Sequence, residues 1–241
     1  MTNFYTDEKQ IITWLDEYKV KNYTLVPDEK YGFVVGVNGD INLSFKCLTN
    51  IPVKFNEISG GFDCDNNKLT SLEFSPKKVG GDFYCQNNEL TSLEFSPQIV
   101  SGVFNCGRNQ LTSLEFCPQT VGDTFNCGYN RLTSLEFSPQ KVGGPFICQS
   151  NQLTSLEFCP KTVGGSFYCF NNQLTSLEFC PETVSGSFYC DNNPELKEIQ
   201  KINDFKLIIL EHKKVLTTKL SDKLKDDLTN DNSKKTAKIK I

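Results

Sequence analysis

The chain has 241 residues, of which 38% are hydrophobic and 22% charged, a balance typical of a soluble protein with a core and not of a disordered chain. Its net charge of -4 excludes a strongly basic body of the kind that binds nucleic acid. No apolar run approaches the roughly 18 residues of a membrane-spanning helix. We therefore expect neither nucleic acid nor a membrane among its partners.

The N-terminal region has a mixed pattern. Residues 7 to 18, "DEKQIITWLDEY", predict an amphipathic helix with Thr6 as its N-cap, and residues 22 to 37 predict extended segments around "PDEKYG". A repeat array must cover its end coils, so we interpret residues 1 to 40 as an N-terminal α/β cap. The first residues carry no basic flank followed by an apolar block, so we expect no export signal, a cytoplasmic location and free thiols.

A 21-residue repeat follows the cap. Cysteines fall at positions 64, 85, 106, 127, 148, 169 and 190, and "LTSLEF" begins at 69, 90, 111, 132, 153 and 174. A degenerate copy starts at residue 41. One copy cannot bury its apolar residues alone, whereas stacked copies can. The repeat predicts a β-rich parallel solenoid of about eight coils over residues 41 to 193.

Each unit contains a short strand such as Phe83-Tyr84-Cys85, in which phenylalanine and cysteine face inward and the middle residue faces outward. Further apolar positions around the coil are Leu90, Leu93, Phe95 and Val100.

The second small position before each strand is glycine in almost every copy. Its occupants are Gly81, Gly102, Asp123, Gly144, Gly165 and Gly186. Glycine with one aspartate substitute indicates a left-handed backbone at this row. Pro145 cannot donate a hydrogen bond, so the ladder of its coil should begin at Phe146.

The unit resembles the leucine-rich repeat. Phe83, Cys85, Asn88 and Leu90 match the pattern L-x-L-x-x-N-x-L. The length of about 21 residues and the wording "VGGxFxCxNNxLTSLE" are similar to short bacterial and phage-encoded repeats. Glycine or serine stands where the first leucine belongs, so a three-faced parallel β-helix remains the rival fold. The resemblance covers residues 41 to 193 and implies a binding scaffold.

From Pro194 the pattern becomes helical. We interpret residues 194 to 229 as a C-terminal helical cap. Residues 230 to 241, "NDNSKKTAKIKI", are interpreted as a mobile basic tail.

The residues that recur in most copies of the unit have structural explanations. The cysteines lack C-x-x-C spacing and would form a row instead of a tetrahedron, so we expect buried thiols and no metal or other cofactor. The asparagines should satisfy backbone groups. The Thr-Ser pairs favour tight bends over an ice-binding array, and the glutamate row favours a solvated face over a calcium site or a basic partner. Because no catalytic constellation occurs, we expect no enzyme.

The variable letters are the candidates for function. Three positions of each unit vary: the residue between the inward phenylalanine and cysteine, and the two residues after the cysteine. The leucine-rich-repeat register places these three rows on the exposed sheet. Exposed aromatic residues are typical of interface hot spots. The candidate partner-binding residues are Tyr84, Arg108, Tyr129, Ile147, Tyr168, Phe170 and Tyr189. The alternative is that these side chains only stack along the ladder and stabilise it.

The leading hypothesis is a non-catalytic protein–protein interaction module that binds a protein partner on its strand face, with virus–host interaction as a context suggested by the phage-like wording. The alternative is a structural, virion-associated or assembly protein, which many copies in purified particles would indicate. The sequence identifies neither the partner nor the oligomeric state.

Overall fold

The computed structural model describes residues 4–196, 207–210, 214, 217–218, 220–221 and 223. The first element is helix α1, Glu8–Glu17, which buries Ile11, Trp14 and Leu15. The N-cap is Asp7, whose backbone is extended and whose side chain accepts a hydrogen bond from the Gln10 N–H at 3.0 Å. The prediction of Thr6 was therefore wrong by one residue.

An antiparallel hairpin follows the helix. Its strands are β1, Tyr23–Asp28, and β2, Gly32–Val37. The connecting turn forms because the Asp28 carboxylate accepts hydrogen bonds from the N–H groups of Lys30 and Tyr31. β2 then pairs in parallel with the first long strand of the solenoid, so the hairpin continues one sheet and covers its edge.

The solenoid has two parallel ladders. The valine sheet joins β1 and β2 to β4 (Phe55–Ile58), β6 (Lys78–Val79), β8 (Ile99–Val100), β10 (Thr120–Val121), β12 (Lys141–Val142), β14 (Thr162–Val163) and β16 (Thr183–Val184). The phenylalanine sheet joins β3 (Ile41–Asn42), β5 (Phe62–Asp63), β7 (Phe83–Tyr84), β9 (Phe104–Asn105), β11 (Phe125–Asn126), β13 (Phe146–Ile147), β15 (Phe167–Tyr168) and β17 (Phe188–Tyr189).

The eight strands of the phenylalanine sheet are separated by seven turns of 21 residues, and each strand pairs in register with its equivalent in the next coil. The predicted parallel solenoid with leucine-rich-repeat-like turns is confirmed. Each repeat coil that the structure describes carries two strands, not the three of a three-faced β-helix. The second ladder, through the valines, was not predicted. Strand β13 begins at Phe146, as Pro145 requires.

The core is a set of columns that run along the solenoid axis. Seven inward phenylalanines stack from Phe62 to Phe188, with neighbouring ring centroids 5.3–5.7 Å apart. All seven are at most 1% exposed. Beside them lies the cysteine column, from Cys64 to Cys190, and columns of leucine fill the remainder. Identical side chains therefore bury one another from coil to coil.

The asparagine row connects adjacent coils through hydrogen bonds. The Asn130 side-chain amide donates to the carbonyl groups of Cys106, Cys127 and Gly128, and its Oδ1 accepts from the Leu111 N–H at 3.0 Å. The same pattern recurs at Asn88, Asn109, Asn151, Asn172 and Asn193. Each amide thus satisfies backbone groups that the turn would leave unpaired, as the sequence predicts.

The glycine prediction was wrong about the backbone. Among the described glycines, only Gly32 and Gly39 have positive φ, and Asp123 does not have it either. The small row is required instead by the close approach of successive coils. A Cβ at Gly81 would lie 2.9 Å from the Gly61 nitrogen and 3.0 Å from the Gly60 carbonyl carbon. The corners between the two sheets therefore stack too closely for most side chains.

Phe95 was wrongly placed among the buried apolar residues. It is 49% exposed, and its φ of 68° is left-handed. A bulky residue in this conformation costs about 1–2 kcal/mol relative to ordinary backbone. Four equivalent phenylalanines are also about half exposed, and these five form what we call the phenylalanine stripe: Phe95, Phe116, Phe137, Phe158 and Phe179.

Near the C-terminus, Pro194–Leu196 form a short 3-10 helix and residues 207–210 are helical. Leu196 and Ile208 are buried against the end of the core. Most of the predicted C-terminal cap and all of the predicted basic tail lie outside the described residues.

We predict that Asn130→Ala lowers the free energy of unfolding by about 3 kcal/mol, because a buried N–H and three carbonyl groups lose their partner. Urea unfolding followed by far-ultraviolet circular dichroism measures this change. Arg131→Ala, at the exposed neighbouring position, is the matched control and should change stability by less than about 0.5 kcal/mol. Equal effects of the two substitutions would contradict a connecting role for the asparagine row.

Candidate partner-binding faces

The outward residues of the phenylalanine sheet form the strand-face row. Its members are Asp63, Tyr84, Asn105, Asn126, Ile147, Tyr168 and Tyr189. All seven are partly exposed, because each side chain lies against its equivalents above and below. The row is therefore available to a partner, but each side chain is also part of the ladder.

The polar members of this row have a local structural role. The side-chain oxygens of Asn105 and Asn126 accept hydrogen bonds from the N–H groups of Gly107 and Gly128. Asp63 accepts in the same way from the Asp65 N–H at 3.0 Å. These are Asx turns, which bend the chain as it leaves the strand. The polar residues of the row thus have a structural role in the turn, whereas this role does not explain the aromatic and aliphatic residues.

The aromatic members gather at the C-terminal end of the face. The rings of Tyr168 and Tyr189 stack with centroids 4.8 Å apart, and the Phe170 ring lies edge-on to Tyr168 at 6.4 Å. Ile147 is the register partner of Tyr168 on the other side. The structure therefore brings four of the seven candidate residues into one patch, which we call the aromatic cluster: Ile147, Tyr168, Phe170 and Tyr189.

The other three candidate residues lie apart from this cluster. The Arg108 guanidinium lies 4.3 Å from the centre of the Tyr129 ring, and both side chains are exposed. The Tyr84 hydroxyl donates a hydrogen bond to Asp82 at 3.0 Å. Burial, together with this bond to a carboxylate, raises the pKa of Tyr84 to about 12.

The sequence predicts that Arg108 and Tyr129 lie on the exposed sheet, but the strands of their coils end at Asn105 and Asn126, before either residue. Their φ angles are 53° and 56°, and the equivalent residues of the other coils are also left-handed. Asparagine, which tolerates this conformation, occupies the row in four coils: Asn66, Asn87, Asn171 and Asn192. The row therefore forms the turn that follows the strand, and its side chains project from the rim of the face.

The thiols of the cysteine column are buried with the phenylalanine and leucine columns. Among the described residues, no group of three or more His, Cys, Asp or Glu side chains could hold a metal ion. Burial raises the pKa of the Cys106 and Cys127 thiols well above the ordinary value, and each thiol donates to a carbonyl of the next coil. The cysteine column is part of the core.

A second small-residue row supports the phenylalanine stripe. The Ser75 hydroxyl donates to the Phe95 carbonyl at 2.8 Å, and the Cys117 thiol donates to the Phe137 carbonyl at 3.2 Å. Either serine or cysteine occupies each position of this row, because both are small and both donate. The stripe was missed from the sequence, since a phenylalanine between buried leucines carries no signal that separates an exposed ring from a core ring.

The described fold and faces define a leucine-rich-repeat-like solenoid whose outward rows are available for binding, and no described helix is long and apolar enough to cross a membrane. No protein-family model and no curated protein matches the chain. Among solved structures it is similar to YopM from Yersinia enterocolitica, a leucine-rich-repeat protein, with 16% sequence identity and a TM-score of 0.38. The match covers 64% of this chain and 47% of YopM, so it spans about half the length of that protein.

We predict that a thiol reagent at pH 8 labels Cys47 first in the native protein, because this cysteine is exposed whereas most of the other ten are buried. Absorbance of the released chromophore should show one fast equivalent, and Cys47→Ser should remove it. Cys159 and Cys180, which are partly exposed, should follow slowly. Rapid labelling of many thiols in the native state would contradict the buried column.

Stability should also fall at alkaline pH. Folding raises the pKa of the column thiols above their unfolded value of about 8.5, so their contribution is complete below that pH and is lost as the pH rises. We expect the melting temperature to be nearly constant from about pH 6.5 to 8 and to fall between about pH 9 and 11. Alanine at Cys106 and Cys127 should make this fall shallower, and an unchanged slope would exclude the thiols as its cause.

Proposed function

We propose that the protein is a non-catalytic protein–protein interaction module whose partner binds the strand face at the aromatic cluster. The observation that carries this proposal is that the cluster occurs once in a scaffold that otherwise repeats. Structural residues recur in every coil, whereas Phe170 replaces small or polar residues, and its two stacked neighbours Tyr168 and Tyr189 lie beside it.

The geometry of the cluster suits recognition. Its rings are held by mutual stacking and by the ladder, so little side-chain freedom is lost when a partner binds. The tyrosine rings present an apolar surface with a polar hydroxyl at the edge, a combination that is enriched in interface hot spots. Because the rings are partly exposed, a partner would complete their burial.

The surroundings favour a protein over a nucleic acid. Asp191 flanks the cluster, and the other end of the face carries Asp63 and Asp65. Arg108 is the one basic side chain in the three variable rows, and phosphate contacts need several such groups. A cytoplasmic setting and a role in virus–host interaction are part of the same proposal, by analogy with the wording of the repeat.

The test replaces the aromatic residues of the cluster with residues found at the equivalent positions of other coils. In the triple variant Tyr168→Asn, Phe170→Gln and Tyr189→Asn, each new residue occupies the same row elsewhere, as in Asn105 and Gln86. We expect capture of the native partner from cell extract to fall at least tenfold, because truncated hot spots each weaken binding by roughly 2 kcal/mol. Quantitative mass spectrometry of affinity-purified material measures the loss.

The matched control is Tyr84→Asn, which changes the same row far from the cluster. This variant should retain partner capture, and both variants should keep a cooperative melting transition. If the triple variant captures the partner as well as the native chain does, the cluster is not the binding site. If it unfolds, the rings serve the ladder instead.

A further inference from the structure

The phenylalanine stripe is a second, separate surface with features of a binding site. Its five rings are 46–54% exposed, and φ lies at 67–68° in Phe95, Phe116, Phe137 and Phe158. Glycine and asparagine adopt this conformation most easily, yet each of these coils has a phenylalanine there. Strained residues with exposed apolar side chains are typical of functional positions.

The hydrogen bonding of the scaffold does not depend on these side chains, although about half of each ring is covered. What the solenoid takes from each stripe residue is its carbonyl oxygen, which accepts the hydroxyl or thiol of the preceding coil: Ser96 donates to Phe116 at 2.6 Å, and Ser138 donates to Phe158 at 2.7 Å. Any residue supplies that oxygen. The rings are therefore not explained by the hydrogen bonding of the coil.

The first member of the same row shows what covers such a ring. Phe74 has a φ of 71° but is only 3% exposed. The rings of Phe4 and Tyr31 pack against it at 5.0 and 5.6 Å, and the Lys54 ammonium lies 5.9 Å from its centre. Within this chain, apolar rings and a cation together cover the row.

Acidic side chains border the stripe along its length. One exposed glutamate precedes each ring: Glu94, Glu115, Glu136, Glu157 and Glu178. At the N-terminal end, Phe95, Phe116 and Phe137 line a groove of about 680 Å³ together with Glu94, and Lys54 and Lys77 line the same groove. Along the rest of the stripe, a partner that covers the rings also faces the row of exposed glutamates, and complementarity there requires lysine or arginine beside its apolar residues.

The spacing favours a helical partner over an extended one. Neighbouring coils are about 4.8 Å apart, close to the 5.4 Å between successive turns of an α-helix, whereas residues on one side of a strand repeat every 6.6 to 6.8 Å. Strand addition would also need free carbonyl groups, and those of Phe95 and Phe116 already accept hydrogen bonds. A second copy of this chain is disfavoured, because facing stripes would bring two glutamate rows together.

We propose that the phenylalanine stripe is a docking site for a basic amphipathic α-helix of a partner protein. The leucines or similar residues on one side of the helix contact the five rings, and its lysines or arginines contact the glutamate row. This site is independent of the aromatic cluster on the strand face.

The probe is a fluorescein-labelled 18-residue peptide of leucine and lysine, with the leucines at helical i, i+3, i+4, i+7 spacing. Fluorescence anisotropy with the full chain should show saturable binding. A scrambled peptide of the same composition, a leucine–glutamate helix and a peptide with alternating leucine and lysine should each bind at least tenfold more weakly. Equal binding of the scrambled peptide, or tighter binding of the alternating peptide, would overturn the proposal.

The decisive variant is Phe116→Asn, Phe137→Asn and Phe158→Asn. Since asparagine accepts positive φ, this variant should keep a cooperative melting transition, while its affinity for the helical peptide should fall at least tenfold. Unchanged affinity would overturn the proposal. Glu115→Gln with Glu136→Gln should weaken binding severalfold and reduce its salt dependence.

Two controls separate this surface from others. Ile99→Thr removes an exposed apolar residue from the valine sheet and should leave peptide affinity unchanged. The triple variant of the aromatic cluster should also retain it, so failure of one site is distinguishable from failure of the other. Sedimentation equilibrium of the native chain provides a further check, because self-association that the Phe→Asn variant abolishes would identify a second copy as the occupant and overturn the helix proposal.

Discussion

The in-register stacking of 21-residue coils is the constraint on which the rest of this structure depends. Backbone hydrogen bonds join every coil to its neighbours, as when the Cys85 N–H donates to the Asn105 carbonyl of the next coil at 2.9 Å. A coil that gained or lost a residue would shift every buried side chain beyond it out of its column. Strict periodicity is therefore a packing requirement, and it accounts for the repetition of the sequence without reference to chemistry.

The columns follow directly from this constraint. A phenylalanine meets a phenylalanine, a cysteine meets a cysteine, and an asparagine bridges to the coil before it. For that reason the inward strand residues, the buried thiols and the role of Asn88 could be predicted from spacing alone. Each of these residues packs against the equivalent residue of the next coil, so the repeat itself identifies its main contacts.

The errors fall where the environment is not a copy of the residue. The apolar side chain of Phe95 indicates a core position. It is half exposed instead, because the left-handed backbone at this residue directs the side chain away from the core. Gly81 is small because backbone atoms of another coil approach it, a contact that the sequence does not display. The Asx turn at Asn105 was hidden for a related reason, since the same amide could equally have faced a partner. Conformation and approach distance decide these positions; both recur with the repeat, but the type of residue does not reveal them.

The two aromatic surfaces differ in a way that bears on what they could recognise. The cluster around Tyr168 and Phe170 breaks the repeat, so it defines one location along the solenoid and suits a partner that docks in a single register. The stripe from Phe95 to Phe179 follows the repeat, so neighbouring registers differ by one coil and present nearly the same surface. A periodic ligand such as a helix could bind there in several registers, which favours affinity over positional specificity. A partner that contacted both surfaces would gain its position from the cluster and additional affinity from the stripe.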